Sequence, residues 1–462
     1  MYITFIHGWS VTNTSHYGEL PQALRNAAQQ NNINLEIEHI HLGRYISFSD
    51  TITMTDLARA LDRALRDLPH NNNDTIQPFS AITHSTGGPL IRLWIQHFYP
   101  TESLHQCPLK HLIQLAPANH GSALAIIGKS RISRLKFLFN GTEPGLQILD
   151  FLQLGSEGSY QLNQQSQLNN YLDAGIFLTV HTGQAVDRTF YDFLNNYLTE
   201  PGSDGVMRAA STSLNYHTLT LRQTTSSILQ HPPNLLEPDP PLQSPTHTIA
   251  HRIYNQYSHS GNDKGIMQSI QTENTQAPIV QDILAATRVN TPQDYQQLTQ
   301  QFQQQTEQSQ QGTNRYTMVI ITVQDNEGRR LKEDEFDLLF LAGKNYAPHQ
   351  LPAGFMQDKQ MNPETGRITF YLNTDKIHNV PDDAIGLRIN ARPDQGFARY
   401  QSAEFRAQPN QVTQILHPNQ TTYINIILHR IVDQNLFRFG TPNRGIIDFK
   451  NETPSNKPTA ND

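Results

Sequence analysis

Two rhythms of apolar residues alternate over roughly the first 290 positions of the chain. Short, continuous apolar runs at residues 2–6, 33–40, 79–82, 111–115 and 175–180 have the length and character of buried strands. Between them lie stretches with helical spacing, at 20–30, at 55–68 with Leu57, Leu61, Ala64 and Leu65 on one face, at 89–98 and at 264–270. This alternation predicts an α/β domain over residues 1–290, built on a mostly parallel sheet covered by helices. The long interval at about 120–172 reads as a cap or lid insertion. Glutamine dominates 291–314, where Tyr295, Leu298 and Phe302 fall at helical offsets and predict a short packed helix fading into a polar linker. The rhythm then changes. Apolar runs at 317–323, 336–341, 367–372 and 423–428, punctuated by Gly, Pro and Asn, predict a C-terminal antiparallel β-sandwich over 315–451, with a disordered tail at 452–462.

Composition narrows the function classes. A chain of 462 residues has room for two domains. Its 37% hydrophobic and 16% charged residues suit a folded core, and the mean hydropathy of -0.54 reflects its wealth of Gln, Asn and Thr. A formal net charge of -7 argues against nucleic acid as a partner. With Cys107 as the single cysteine, an intrachain disulfide framework and a multi-thiolate zinc site are both excluded, and the residue reads as a buried thiol. The first residues lack the basic region of a cleavable signal peptide. No stretch reaches the ~18 apolar residues of a transmembrane helix, so membrane contact is expected to be peripheral.

The strongest chemical signal is Thr83-His84-Ser85-Thr86-Gly87, at the point where a buried strand meets a helix. That context suits a nucleophile elbow, in which a strained turn lifts the serine hydroxyl out of the sheet. Thr83 stands where such elbows usually carry glycine, and a serine here could also merely cap the helix. His7-Gly8-Trp9 follows the first strand, where lipases and esterases complete an oxyanion hole. The expected donors are the backbone N–H groups of Trp9 and Thr86. The acid should follow the nucleophile in chain order. Asp204, in the turn-rich 200–206 segment, is the first candidate and Asp187 the second. For the base, His259 precedes Ser260-Gly261, and His251 competes within a strand-like run. No metal or phosphate-loop motif occurs, and the alternating His39 and His41 read as sheet residues. A Ser-His-Asp site of this kind forms an acyl-enzyme and requires no cofactor.

Together, residues 7–12, 42–48, 83–88 and 259–267 resemble the PlaB family of bacterial phospholipases A and lysophospholipases, in which the Thr-His-Ser-Thr-Gly elbow is characteristic. The resemblance spans nearly the whole chain. It carries the nucleophile to Ser85, the acid to Asp204 and the base to His259. It implies an α/β-hydrolase domain, a β-rich C-terminal domain needed for activity, peripheral association with the bacterial envelope and a homo-oligomer, dimer or tetramer. An adenine dinucleotide as regulatory ligand comes from the resemblance alone. Two other readings stand beside it: a carboxylesterase or thioesterase for soluble acyl substrates, and an inactive hydrolase scaffold used for binding. Two segments could serve a lipid surface. One interleaves Ile126, Ile132, Phe137 and Phe139 with Lys129, Arg131, Arg134 and Lys136 and reads equally as an ordinary amphipathic lid helix, and the other carries Leu436, Phe437 and Phe439 near Arg438 and either packs into the sandwich core or faces a lipid interface or a neighbouring subunit.

Overall fold

The computed structural model describes residues 1–7, 15–47, 49–71, 75–125, 145–186, 200–224 and 233–433. Strands β1 (Tyr2–His7), β2 (Glu36–His41), β3 (Phe79–His84), β4 (Leu109–Leu115), β5 (Phe177–Gly183), β6 (Tyr216–Gln223), β7 (Asn234–Pro238) and β8 (Ala250–Tyr254) occur in the first part of the chain. Six of them form a parallel sheet of order β2-β1-β3-β4-β5-β8. All six residues of β3 are buried, as expected of a central parallel strand covered on both faces.

Side chains alternate between those two faces. On one, Ala81 and Leu112 pack with α2 (Met54–Arg66) and α3 (Gly87–Phe98), through Leu57, Leu61, Leu90 and Trp94. On the other, Ile82 and Ile113 pack with α1 (Leu20–Gln30) and with two helices that follow β8. Helix α2 begins at a capping box in which the Thr53 side chain and Asp56 satisfy each other's backbone N–H groups, so its start is encoded locally.

Two short helices, α4 (Leu146–Leu152) and α5 (Glu157–Ser166), lie in the insertion read as a cap, and α6 (Ala209–Thr212) follows β5. Helix α5 contacts the C-terminal strands. Its Glu157 pairs with Arg330 and Arg367, its Tyr160 hydroxyl donates to Asn425 Oδ1 at 3.0 Å, and Arg367 lies 3.9 Å over the Tyr160 ring. Residues 126–144, which carry the basic-apolar stretch, are outside the described residues.

After β8, the expected helix at 264–270 is a series of turns, because the Gly265 N–H donates to Gly261 O and the Ile266 N–H to Ser258 O, folding the segment back on the loop before it. Helix α7 (Pro278–Thr287) comes next. The Gln-rich segment then forms α8 (Pro292–Ser309), an 18-residue helix opened by a Thr291–Asp294 capping box. Its buried face covers the β8 edge. The Ala250 N–H donates to the Tyr295 hydroxyl at 3.1 Å and the Ile253 N–H to Thr306 Oγ1 at 3.0 Å, so side chains occupy positions that another strand would fill.

The C-terminal strands are β9 (Tyr316–Asp325), β10 (Phe336–Ala342), β11 (Ala347–Pro348), β12 (Met356–Met361), β13 (Ile368–Asn373), β14 (Ile385–Ala391), β15 (Ala398–Arg399), β16 (Ala403–Ala407), β17 (Thr421–Leu428) and β18 (Ile431–Val432), with α9 (Pro409–Ile415) between β16 and β17. Apart from the small β15–β18 pair, they join β6 and β7 in one sheet of order β11-β10-β14-β16-β7-β6-β17-β9-β13-β12. The sheet bends around a single core, so that Phe340 of β10 meets Phe370 of β13 edge to face at 4.8 Å. It departs from the antiparallel expectation in being mixed, since β17 runs parallel to both β6 and β9. Two strands of this sheet, β6 and β7, come from before β8, within the region that otherwise builds the parallel sheet.

Candidate active site

Strands β1, β3, β5 and β8 end on the same edge of the parallel sheet, where the following loops converge. At the end of β3, Ser85 has φ +53°, a left-handed conformation rare for a side-chain-bearing residue. Its backbone is held firmly. The Ser85 N–H donates to Leu115 O at 3.0 Å, and the Ser85 carbonyl accepts from the Gly88 and Ala118 N–H groups at 3.1 and 3.2 Å. A Cβ on Gly88 would lie 2.5 Å from Pro117 Cβ, so only glycine lets α3 approach this closely. One on Gly87 would lie 3.1 Å from Thr83 Cβ. Thr83 therefore occupies space left by Gly87, which explains how the elbow accommodates a threonine where glycine is usual.

Asp204 and His259, 55 residues apart in sequence, meet beside this turn, His259 Nδ1 lying 3.1 Å from Asp204 Oδ2. The other carboxylate oxygen accepts the Val206 and Met207 N–H groups at 2.9 and 2.7 Å, and the His259 N–H donates to Asp204 O at 2.9 Å. Asp204 is fully buried and His259 nearly so. With Oδ1 accepting from two backbone donors and Oδ2 facing the imidazole, the carboxylate orients the His259 ring through Nδ1. His251, the alternative, lies on β8 with Nε2 3.3 Å from Thr212 Oγ1, and burial lowers its pKa to about 4. Asp187, Trp9 and the 436–439 segment are outside the described residues. Thr86 stands at the N-terminal end of α3, where backbone N–H groups have no intrahelical acceptor.

A layer of histidines backs the site, a feature the sequence reading did not extract although His84 lies within the elbow itself. His84 Nε2 is 3.1 Å from the His259 carbonyl, the two rings are 4.6 Å apart, and His84 Nδ1 is 3.3 Å from His16 Nε2. A carbonyl only accepts, so His84 carries its proton on Nε2 and receives one from His16 on Nδ1. His7 Nε2 and His39 Nδ1 are 3.0 Å apart, and the His7 and His41 rings 4.1 Å. Among the described residues, no group of three or more His, Cys, Asp or Glu is arranged to hold a metal ion.

Burial, reinforced by the nearby His259, lowers the His16 pKa to about 4 and holds His84 well below the usual imidazole value. The unfolded chain binds protons near pH 6.5 while these folded residues stay neutral, so stability is full above about pH 7 and is lost as pH falls from 6.5 towards 4. Urea midpoints should fall between about pH 7.5 and pH 5, and His16→Gln should shrink the difference. Equal midpoints at the two pH values would contradict neutral burial.

A cleft of about 720 Å³ lies between α8 and residues 417–420, lined by amides, hydroxyls, His251 and His417. Its one guanidinium among the described residues, Arg315, is bound to Asp375, and Glu307 adds another carboxylate. Among the described residues, the cleft offers a pyrophosphate no unpaired guanidinium or ammonium. Among the described residues, no helix is long and apolar enough to cross a membrane.

The parallel sheet, its elbow and the Asp–His pair at its edge make this an α/β hydrolase with a second, β-rich domain. No protein-family model matches the chain, and no curated protein matches it. Among solved structures, phospholipase PlaB from Legionella pneumophila is 38% identical over 99% of both chains, with a TM-score of 0.86. The structure of that phospholipase in complex with thio-NAD is 37% identical over 99% of both chains, also with a TM-score of 0.86. The chain belongs to the PlaB phospholipase family.

Proposed function

We propose that the protein is a phospholipase A with lysophospholipase activity. The observation that carries this reading is the 38% identity to Legionella PlaB over 99% of both chains. Ser85 attacks the acyl carbonyl carbon while His259 Nε2 takes the hydroxyl proton. Asp204 stabilises the resulting imidazolium through Nδ1–H. Backbone N–H groups of Thr86 and Trp9 receive the oxyanion. Collapse of the tetrahedral intermediate breaks the ester C–O bond, His259 returns its proton to the departing lysolipid or glycerophospho-alcohol, and water then cleaves the acyl-enzyme by the same route.

Peripheral membrane association, a dimeric or tetrameric assembly and an adenine dinucleotide as a non-catalytic ligand belong to the same proposal, supported by the PlaB relationship and, for the dinucleotide, by the thio-NAD complex of the relative. The test is fatty-acid release from phospholipid and lysophospholipid vesicles against hydrolysis of a soluble short-chain ester, with and without a serine-reactive phosphonate. Phosphonate-sensitive release from vesicles is expected. Activity confined to the soluble ester would make the protein a carboxylesterase, and failure of the phosphonate to label Ser85 would remove the mechanism.

A further inference from the structure

The loop that carries Asp204 is closed at its base by an ion pair and held from outside by the second sheet. Arg208 is 2% exposed, and its Nε and Nη2 donate to the two Glu200 carboxylate oxygens at 2.8 and 2.7 Å, joining the ends of the loop. The same guanidinium contacts Asp358 on β12 and lies 4.4 Å over the Tyr371 ring of β13. Tyr371 in turn donates its hydroxyl to Pro201 O at 2.9 Å and stacks on Tyr316 of β9 at 5.0 Å. Gly202, with φ +74°, fits beneath this pair, since a Cβ there would come within 2.5 Å of the Tyr316 ring and 2.7 Å of the Tyr371 hydroxyl. Inside the loop, the Asp204 N–H donates to Met207 O at 3.0 Å and the Ala209 N–H to Gly202 O at 3.0 Å. The residues touching Asp204 and those touching the C-terminal sheet are thus parts of one hydrogen-bonded turn.

We propose that Arg208 and Tyr371, backed by Asp358, are positioning residues that hold the Asp204 carboxylate against His259, so that the C-terminal sheet acts on the site through this loop. The inference rests on the reading of Asp204 as the acid of the site. Its physical basis is that the bidentate, ring-stacked guanidinium fixes both the distance between the loop ends and the plane of the turn, which a lysine cannot do. A misplacement of about 1 Å at a catalytic pair costs on the order of a hundredfold in rate.

The test uses the purified full chain with Arg208→Lys, Tyr371→Phe and Asp358→Asn. Asp204→Asn serves as reference, and Asp337→Asn, which breaks the Arg392–Asp337 pair elsewhere in the same sheet, as control. The readouts are kcat and KM on a soluble ester, the rate of phosphonate labelling, and the low-field proton resonance of His259 Nδ1–H. Arg208→Lys should lower kcat about a hundredfold and Tyr371→Phe about tenfold. KM should stay within about twofold of the parent, the resonance should be shifted or lost, and Asp337→Asn should behave as the parent. Tyr371→Phe keeps the ring and its stacking, so it and Asp358→Asn decide the matter should Arg208→Lys fail to fold. Variant kcat values within twofold of the parent, or losses that only track the folded fraction, overturn the clamp if Asp204→Asn is inactive. Parent-level activity in Asp204→Asn instead removes the reading beneath it.

Discussion

Replacing Ser85 with alanine should lower hydrolysis of vesicles and soluble esters alike by at least about four orders of magnitude, as expected when the nucleophile of a triad is removed. The fold should be unaffected, because the contacts that hold this turn run through the Ser85 backbone to Leu115, Gly88 and Ala118. Melting temperature and circular dichroism provide the check. A second substitution separates strain from chemistry. At φ +53°, a residue with a side chain carries a conformational cost of about 1 kcal/mol or more that glycine avoids. Ser85→Gly should therefore be as inactive as Ser85→Ala yet melt higher. More than about a tenth of parental activity in Ser85→Ala, in enzyme free of parental contamination, would defeat the assignment.

The second large effect is expected at the acid. Asp204→Asn preserves an oxygen to accept the Val206 and Met207 N–H groups but turns an amide N–H towards His259 Nδ1, forcing the proton to Nε2, where it blocks general-base action. A loss on the order of 10⁴ in kcat follows from the tautomer alone. His259→Ala should match it, and neither change should add appreciably to Ser85→Ala, because the members of a triad act as a unit. His251→Ala should retain activity, since that ring lies on β8 and bonds to Thr212, whereas the Asp204 carboxylate faces His259. Inactivation by His251→Ala together with full activity in His259→Ala would reverse the choice of base.

The parts legible in the sequence are those encoded locally. The elbow could be read because a buried run, a turn and a helix follow one another without interruption over residues 79–98, and Gly87 and Gly88 mark the close approach of strand and helix. Helix α2 was equally legible, from Leu57, Leu61, Ala64 and Leu65 at helical spacing. The motifs quoted for the PlaB resemblance are likewise short and contiguous. Helix α8 was recognised at Tyr295, Leu298 and Phe302, but its length was not, because the glutamines that continue it are neutral to periodicity while Thr306 and the β8 backbone decide how far it packs.

Tertiary structure alone brought distant residues together. The sequence offers Asp187 beside Asp204 and His251 beside His259, because turn-forming residues mark a loop without saying which loops converge. The meeting of Asp204 and His259 depends on β5 and β8 lying side by side in the sheet. The recruitment of β6 and β7 into the C-terminal sheet was hidden for the same reason, since an apolar strand pattern specifies a pleated, half-buried surface but carries no address for its neighbour. The histidine layer behind Ser85 and the Arg208–Tyr371 clamp belong to this class as well. Each joins residues separated by tens to hundreds of positions, and packing and hydrogen-bond satisfaction select such pairings only when the whole chain has closed around them.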